Sequence, residues 1–349
     1  MDFGTILNAA LSQALGPQAI VFALAAIGLN IHFGYTGLLN FGQAGFMAVG
    51  AYGLAVTVVT YDQSFWLGVV VALLAPVVLA LVLGVPTLRL RADYLAIATI
   101  ATAEILRLVF GAVETKDVFG GSNGLTGFAK TFQDLNPYSG GVDLGVVRFR
   151  QDDLWSLTVG WVLVALGCLF VWLLMRSPWG RVLRSIREDE DAVRSLGKNV
   201  FAYKMQALVL GGVFGGLAGL FLALKQASGV PSDYSTNVTF FAYTALLIGG
   251  AARVLGPVIG AMIFWLLMGL HRLVLQPGHV RLEPAHPRLG DERHPGQPGP
   301  THPRRPGPHA PDDLPTAGDL RRPEGAGDRC PLTPPPPPTR SPGSRTRPV

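Results

Sequence analysis

The feature that most constrains this chain is the recurrence of long apolar runs almost free of charge. A helix needs roughly 20 consecutive apolar residues to cross a bilayer core. Ile20–Phe41, Phe65–Leu88, Leu154–Met175 and Met205–Leu224 each reach that length, and Phe41–Thr60, Tyr94–Phe110, Phe240–Ala252 and Val254–Leu270 are shorter or more interrupted candidates. A buried helix of a soluble protein can mimic one such run, but hardly four. The expected fold is all-α: a polytopic transmembrane helix bundle of about eight membrane segments, some short or re-entrant. With 49% hydrophobic and 15% charged residues, the chain holds too much apolar surface for a disordered or nucleic-acid-coating protein. The lipid bilayer is its expected partner, and nucleic acid is not.

The averages hide two compositions. Up to Leu270 there are 16 Lys and Arg against 15 Asp and Glu, and 34 of the 43 glycines. From His271 the last 79 residues carry 20 of the 27 prolines, 12 Arg against 8 acids, and 6 of the 7 histidines. The expected division is a membrane domain at 1–270 and a disordered Pro/Arg/Gly-rich tail at 271–349. The tail has no Phe, Tyr, Met, Ile, Asn, Lys or Trp. Reading a GC-rich gene out of frame produces such text. A genuine disordered tail, with Pro334–Pro338 in polyproline conformation, is the rival reading.

Orientation follows from short basic loops. Arg176–Lys204 carries seven Lys/Arg and is expected in the cytoplasm. Counting back, Val113–Asp153 faces outward, Arg89 and Arg91 return to the cytoplasm, and the N-terminus falls outside. The first 19 residues hold no Lys or Arg and lead into an apolar run too long for a signal peptide, which argues against a cleaved export signal. Cys168 in a span and Cys330 in the tail imply no disulfide framework.

Gly211, Gly212, Gly215, Gly216 and Gly219 interlace at spacings that let helix backbones approach closely. Gly249, Gly250, Arg253, Gly256, Pro257 and Gly260 interrupt an apolar segment. At membrane depth such a break needs protein around it or a water-filled path beside it, so both a transport pathway and helix packing remain open there. Glu104 and Arg107, three apart, share one helix face. A lone charge at mid-membrane costs about 2.5–3.5 kcal/mol on insertion scales. Either the two form an interfacial pair, with Arg107 reaching toward water, or they serve a pathway or packing role. His32 is expected to be a packing or interfacial residue.

The Arg176–Lys204 loop reads as two short amphipathic helices at the cytoplasmic surface. Pro178 ends the preceding helix, and Val182, Leu183 and Ile186 form an apolar face flanked by Arg181, Arg184 and Arg187. Glu188, Asp189, Glu190 and Asp191 favour a second helix N-terminus. Val193 and Leu196 follow on that helix, and Gly197 suits its stop. Such alternation of acid, base and apolar residues reads as a docking element for a cytosolic partner. The sequence has no phosphate loop: Gly197-Lys198 is followed by Asn199 and lacks the preceding glycine. Nor does it contain H-E-x-x-H, G-x-S-x-G or a Cys/His metal cluster, so no catalytic, cofactor or metal residue is assigned.

These motifs, in this order, resemble the permease subunits of bacterial ABC importers for branched-chain amino acids, in particular the LivM-like branch. The resemblance rests on Gly34 to Phe46 (GYTGLLNFGQAGF) with Gly50-Ala51-Tyr52, then Tyr94-Leu95-Ala96-Ile97 with Glu104-Ile105-Leu106-Arg107. Gly120 to Leu125, Ser177 to Val200, and Gly249-Gly250 with Gly256 to Gly260 complete it, over roughly residues 17–270. It implies a permease without its own catalysis, paired with a second homologous permease around a translocation path. Two cytosolic ATPase subunits would engage Ser177–Val200 and use the ATP, and an external binding protein would deliver hydrophobic amino acids. Residues singled out for coupling are Gly180, Arg181, Arg184, Arg187, Glu188, Asp189, Glu190 and Gly197. Those singled out for the pathway or for critical packing are Glu104, Arg107, Asn40, Gly249, Gly250, Gly256 and Pro257. The family pattern continues with at least one more apolar helix, which the text after Leu270 does not supply. An ion-gradient transporter, a membrane scaffold and a non-functional truncated permease are the alternatives. A proton-coupled transporter could use Glu104 but leaves the amphipathic loop without a role. A scaffold explains the glycines but not the Gly249–Gly260 break.

Overall fold

Among the described residues the apolar runs become six helices long enough to cross a bilayer, followed by two shorter apolar ones. The computed structural model describes residues 12–90, 92–138, 142–143, 148–149 and 151–275. The tail expected from His271, from residue 276 onward, lies outside them with Cys330, as does Arg91.

Helix α1 (Pro17–Leu29) opens on a proline, whose missing N–H is not needed in a first turn. It runs on as π-helix over Asn30–Tyr35. Every residue from Ala19 to Leu29 is buried, so α1 is a central helix, apolar all round. The expected span Ile20–Phe41 is corrected here: helix stops at Tyr35, residues 37–42 form a non-helical connection, and α2 (Gln43–Ala55) begins beyond it, ending in a π-turn at Val56–Thr60. Hydropathy alone runs through this break because its side chains are as apolar as the helices around it.

Ser64 accepts from Leu67 N and caps α3 (Phe65–Thr87). Helix α4 (Ala92–Gly111) follows, then the short helices α5 (Lys116–Phe119) and α6 (Lys130–Asp134). Helices α7 (Gln151–Arg176), α8 (Pro178–Glu188), α9 (Glu190–Ser195) and α10 (Val200–Gln226) come next. Helix α11 (Thr236–Gly249) has only 14 residues. At about 1.5 Å per residue it spans about 21 Å, short of a bilayer core of about 30 Å. The chain breaks at 250–255, and α12 (Gly256–Leu275) packs back along α11. Helix thus continues five residues past the expected boundary at Leu270.

Helices α1, α2 and α10 form the core, and α3 and α7 wrap it with apolar outer faces: Trp66, Val70, Leu74, Val78 and Val85 on one, Val162, Leu166, Leu169 and Leu173 on the other. Exposed apolar faces are what lipid contact requires. The α1 and α10 backbones meet at Gly28 and Gly211, where a Cβ on either would press on the other's carbonyl oxygen. The interlaced glycines of α10 therefore serve packing.

Connections gather at two ends. Residues 37–42, 88–90, 177–199 and 250–255 share one: Arg187 Nη1 donates to Gly34 O (2.6 Å), and Asn30 Nδ2 donates to Arg253 O (2.8 Å). The other end joins Thr60 to Val118 O (2.7 Å), Tyr52 to Gly229 O (3.0 Å) and Lys225 to Asp153 as an ion pair. There β1 (Leu125–Thr126) pairs antiparallel with β4 (Ser228–Gly229), Leu125 opposite Gly229, while β2 (Val142–Asp143) pairs with β3 (Arg148–Phe149). Gly120–Leu125 is thus more than a turn: it binds the α4–α7 connection to the end of α10.

Candidate functional site

Three features sit where a transport function would need them: a polar hub inside the bundle, an ion pair on α4, and a helix pair at the basic end.

The hub supports the broken α1–α2 connection. A non-helical backbone at this depth must find every hydrogen bond within the protein. Phe41 N donates to Thr99 Oγ1 (3.0 Å), Gly42 N to Asn40 Oδ1 (2.9 Å) and Ala44 N to Thr239 Oγ1 (2.9 Å). The Tyr243 hydroxyl donates to Asn40 O (2.9 Å). Asn40 Nδ2 lies 3.1 Å from His32 Nδ1, and His32 Nε2 lies 3.1 Å from Leu208 O. An amide N–H can only donate, so His32 Nδ1 accepts and Nε2–H donates to the carbonyl; the ring is neutral, which suits its complete burial. Gln43 Nε2 reaches Gly211 O at 3.2 Å. Asn40, singled out from sequence, is fully buried at the centre of this network, and His32 is a packing residue. The sequence reading missed Gln43, Thr99, Thr239 and Tyr243 as members of this network, and Asn30 at the second break. The available signal was a carboxamide in an apolar span, which is expensive unless bonded.

Asn30 also holds the second break. Its Nδ2 donates to Arg253 O and its Oδ1 accepts from Ala252 N (2.8 Å), clasping residues 250–255 against α1. Gly250 has φ +91°, a region L side chains rarely adopt. Gly249 meets the Gly256 carbonyl and Gly260 that of Ala245, with no room for a Cβ. Pro257 is buried in the first turn of α12, where it needs no donor. The Gly249, Gly250, Gly256 and Pro257 set is therefore tightly packed backbone.

Glu104 and Arg107 form a bidentate ion pair, Nη2 to Oε1 at 2.5 Å and Nε 3.1 Å from both carboxylate oxygens. Their side chains remain 40% and 29% exposed. Helix α4 resembles α3 in burial, 28% against 33%, but is far less apolar, mean hydropathy 1.6 against 2.9.

At the basic end, Ser177 and Pro178 open α8, with Leu183 and Ile186 buried and Val182 half-buried beneath them. Gly180 lets α8 lie on the Leu174 and Met175 backbone. Asp189 accepts from Ala192 N and caps α9, Val193 is buried, and Gly197 (φ +75°) ends the turn. The two expected helices are present; the exception is Leu196, expected on the second helix, which lies just past its end at Ser195 and is 79% exposed. Arg187 grips Gly34 O, and Arg184 stacks over Tyr35 with its guanidinium carbon 5.7 Å from the ring centre. Glu190 binds Lys204 and Arg194. Arg181, Glu188 and Leu196 are left facing outward. A cavity of about 290 Å³ lies between this pair and the connection, lined by Gly37, Leu38, Leu95, Arg187 and Lys204 among others.

The profile of the family described as branched-chain amino acid transport system / permease component matches residues 15–280. Among similar proteins is the high-affinity branched-chain amino acid transport system permease protein LivM of Salmonella typhimurium, 30% identical over 72% of this chain and 61% of that one. LivM of Escherichia coli is 30% identical over 70% and 60%. The nucleoside ABC transporter permease protein NupC of Lactococcus lactis is 26% identical over 67% and 72%. The chain thus spans about three fifths of the length of the two LivM proteins. Its helices and these likenesses are those of a multi-pass protein of the cytoplasmic membrane. With the profile covering most of the chain, this protein belongs to the branched-chain amino acid transport permease family.

Proposed function

We propose that the chain is a transmembrane permease subunit of an ATP-driven importer of branched-chain or other hydrophobic amino acids. It moves cargo by alternating access and contains no ATPase site; two cytosolic ATPase subunits bind and hydrolyse the ATP. A substrate-binding protein delivers cargo at the opposite end, and a second homologous permease completes the path. The observation that carries this reading is the α8–α9 pair. Its inner residues hold the π-helical end of α1 through Arg187 and Gly34, and its outer residues are free. A push on the pair is thereby delivered to the broken helices, a rigid-body mechanism that discontinuous segments suit. The second permease is supported by α4: an ion pair 40% and 29% exposed is poorly matched to lipid but suits a protein or water-lined face. Amino acids are favoured over nucleosides because the matching family profile is that of branched-chain amino acid transport permeases, and the LivM proteins of Salmonella typhimurium and Escherichia coli align at 30% identity.

The test uses the outward residues. Arg181→Glu with Leu196→Asp should abolish co-purification of the ATPase subunits while leaving the melting temperature of the permease unchanged. If the ATPases still co-purify, the coupling assignment is wrong.

A further inference from the structure

Where α7 meets the 250–255 break, Cys168, Leu169, Trp172, Val254 and Leu255 line a cavity of about 530 Å³. Cys168 Sγ lies 3.9 Å from Val254 O, so the two elements touch there. The lining is apolar, and Leu169 and Leu255 are 51% and 59% exposed, so the cavity opens as a groove on the lipid-facing side of α7. Cys168, Trp172 and Arg176 follow one another along α7 at four-residue spacing, on one face. The Arg176 guanidinium carbon stands 3.9 Å from the Trp172 ring centre. Arg253, next to Val254, is exposed as well. Neither arginine has a carboxylate partner among the described residues. The cavity lined by Arg187 and Lys204 differs, because there Arg187 is bonded to Gly34 O and Lys204 to Glu190.

We infer that this groove holds one acyl chain of an anionic phospholipid from the leaflet at the coupling end, with its phosphate on Arg176 and Arg253. A guanidinium offers phosphate two parallel N–H donors, and a cation at a lipid boundary is costly without an anion. Basic pockets between helices near a cytoplasmic surface are where such headgroups bind. Trp172 serves both halves of the lipid: its ring walls the groove, and Arg176 rests on that ring. A free phosphate ion would leave the apolar groove empty. A zwitterionic lipid brings its own cation, which competes with the two arginines for the phosphate. A lipid seated here ties the end of α7, from which the coupling pair starts, to the 250–255 break. The site depends neither on the cargo nor on the ATPase subunits.

The experiment titrates the purified full chain with phosphatidylglycerol or with phosphatidylcholine of the same acyl chains, and counts retained lipids by native mass spectrometry. The wild type should retain one phosphatidylglycerol about tenfold more tightly, since each cation near an anionic headgroup contributes several-fold. Arg176→Gln with Arg253→Gln should remove that preference and leave phosphatidylcholine retention unchanged. Arg89→Gln removes a cation that lies over Phe201 and does not line the groove, and should leave the preference intact. Leu169→Trp fills the groove without touching a charge and should weaken both lipids. Unchanged melting temperatures would show that the variants fold. Equal retention of the two lipids by the wild type, or a preference that survives loss of both arginines, overturns the headgroup assignment. An equal loss in Arg89→Gln reveals diffuse attraction to the basic end and overturns the site. Undiminished retention by Leu169→Trp overturns the groove.

Discussion

Single residues matter most in this chain where polar atoms or missing side chains permit what lipid forbids. Gly260 has no room for a Cβ, because the Ala245 carbonyl occupies that position and cannot rotate away as a side chain would. Gly260→Ala should therefore force α11 and α12 apart and cost about 1–3 kcal/mol, as overpacking does. Gly229→Ala, with nothing within 4 Å of its Cβ, should stay within about 0.5 kcal/mol. Thermal unfolding in nanodiscs compares the two, and equal melting temperatures would refute the packing argument. Asp233 carries a pH prediction. Burial raises its pKa in the folded protein, so the protonated form is favoured there. The stabilisation is complete below the unfolded value of about 4 and is lost as pH rises through the folded one. Asp233→Asn should thus be more stable than the wild type at neutral pH. That gap should close as pH falls toward about 4. Parallel melting curves across that range would contradict it.

At the scale of elements, the two interruptions in otherwise regular helices depend on one another. Asn30 sits on the π-helical end of α1 and holds both the amide of Ala252 and the carbonyl of Arg253. Asn30→Leu keeps similar bulk but strands two partly buried backbone groups, at up to about 1–3 kcal/mol together. It should loosen residues 250–255, read as faster amide exchange there than in α10; unchanged exchange would show that the clasp is dispensable. The same elements show why legibility differed. The α8–α9 pair was readable because its signals are local: Pro178, an apolar stripe at 182, 183 and 186, acids at a helix start, and Gly197 at its stop. Leu196 deceived because its turn has already left the helix. The break at 37–42 was not readable, since Leu38 and Phe41 are as apolar as helix residues and the groups that satisfy the break lie on α4 and α11, 58 and 195 residues away in sequence. The same distance hid the site partners Thr99 and Thr239. Asn40 could be suspected from its type, but nothing near it in sequence said what it holds. The expected about eight segments survive as six long and two short helices.

For the bundle as a whole, the described connections fall into two sets that no bilayer-crossing chain could mix. One holds 37–42, 88–90, 177–199 and 250–255; the other holds 61–64, 112–138 and 227–235. The first contains Arg181, Arg184, Arg187, Arg194 and Lys198, and short basic loops face the cytoplasm. Arg89 lies over the Phe201 ring, its guanidinium carbon 5.9 Å from the ring centre, and Arg176 over that of Trp172 at 3.9 Å, two cations at the level of that boundary. The first set also holds the four acids Glu188–Asp191, but the second has only Lys116 and Lys130 against the five acids Asp62, Glu114, Asp117, Asp134 and Asp233. Orientation then follows for every helix at once, because alternation leaves no element free to disagree. A cysteine introduced at Gln63, in an exposed turn, should react with a membrane-impermeant maleimide on intact cells. One at Leu196 should react only after the membrane is opened. Replacing Cys168 and Cys330 by serine removes the background, and Cys168 is itself buried. Labelling of Leu196→Cys on intact cells would invert the whole bundle. It would put the α8–α9 pair out of reach of any ATP-hydrolysing partner, so this one measurement bears on the fold's orientation and on the proposed coupling together.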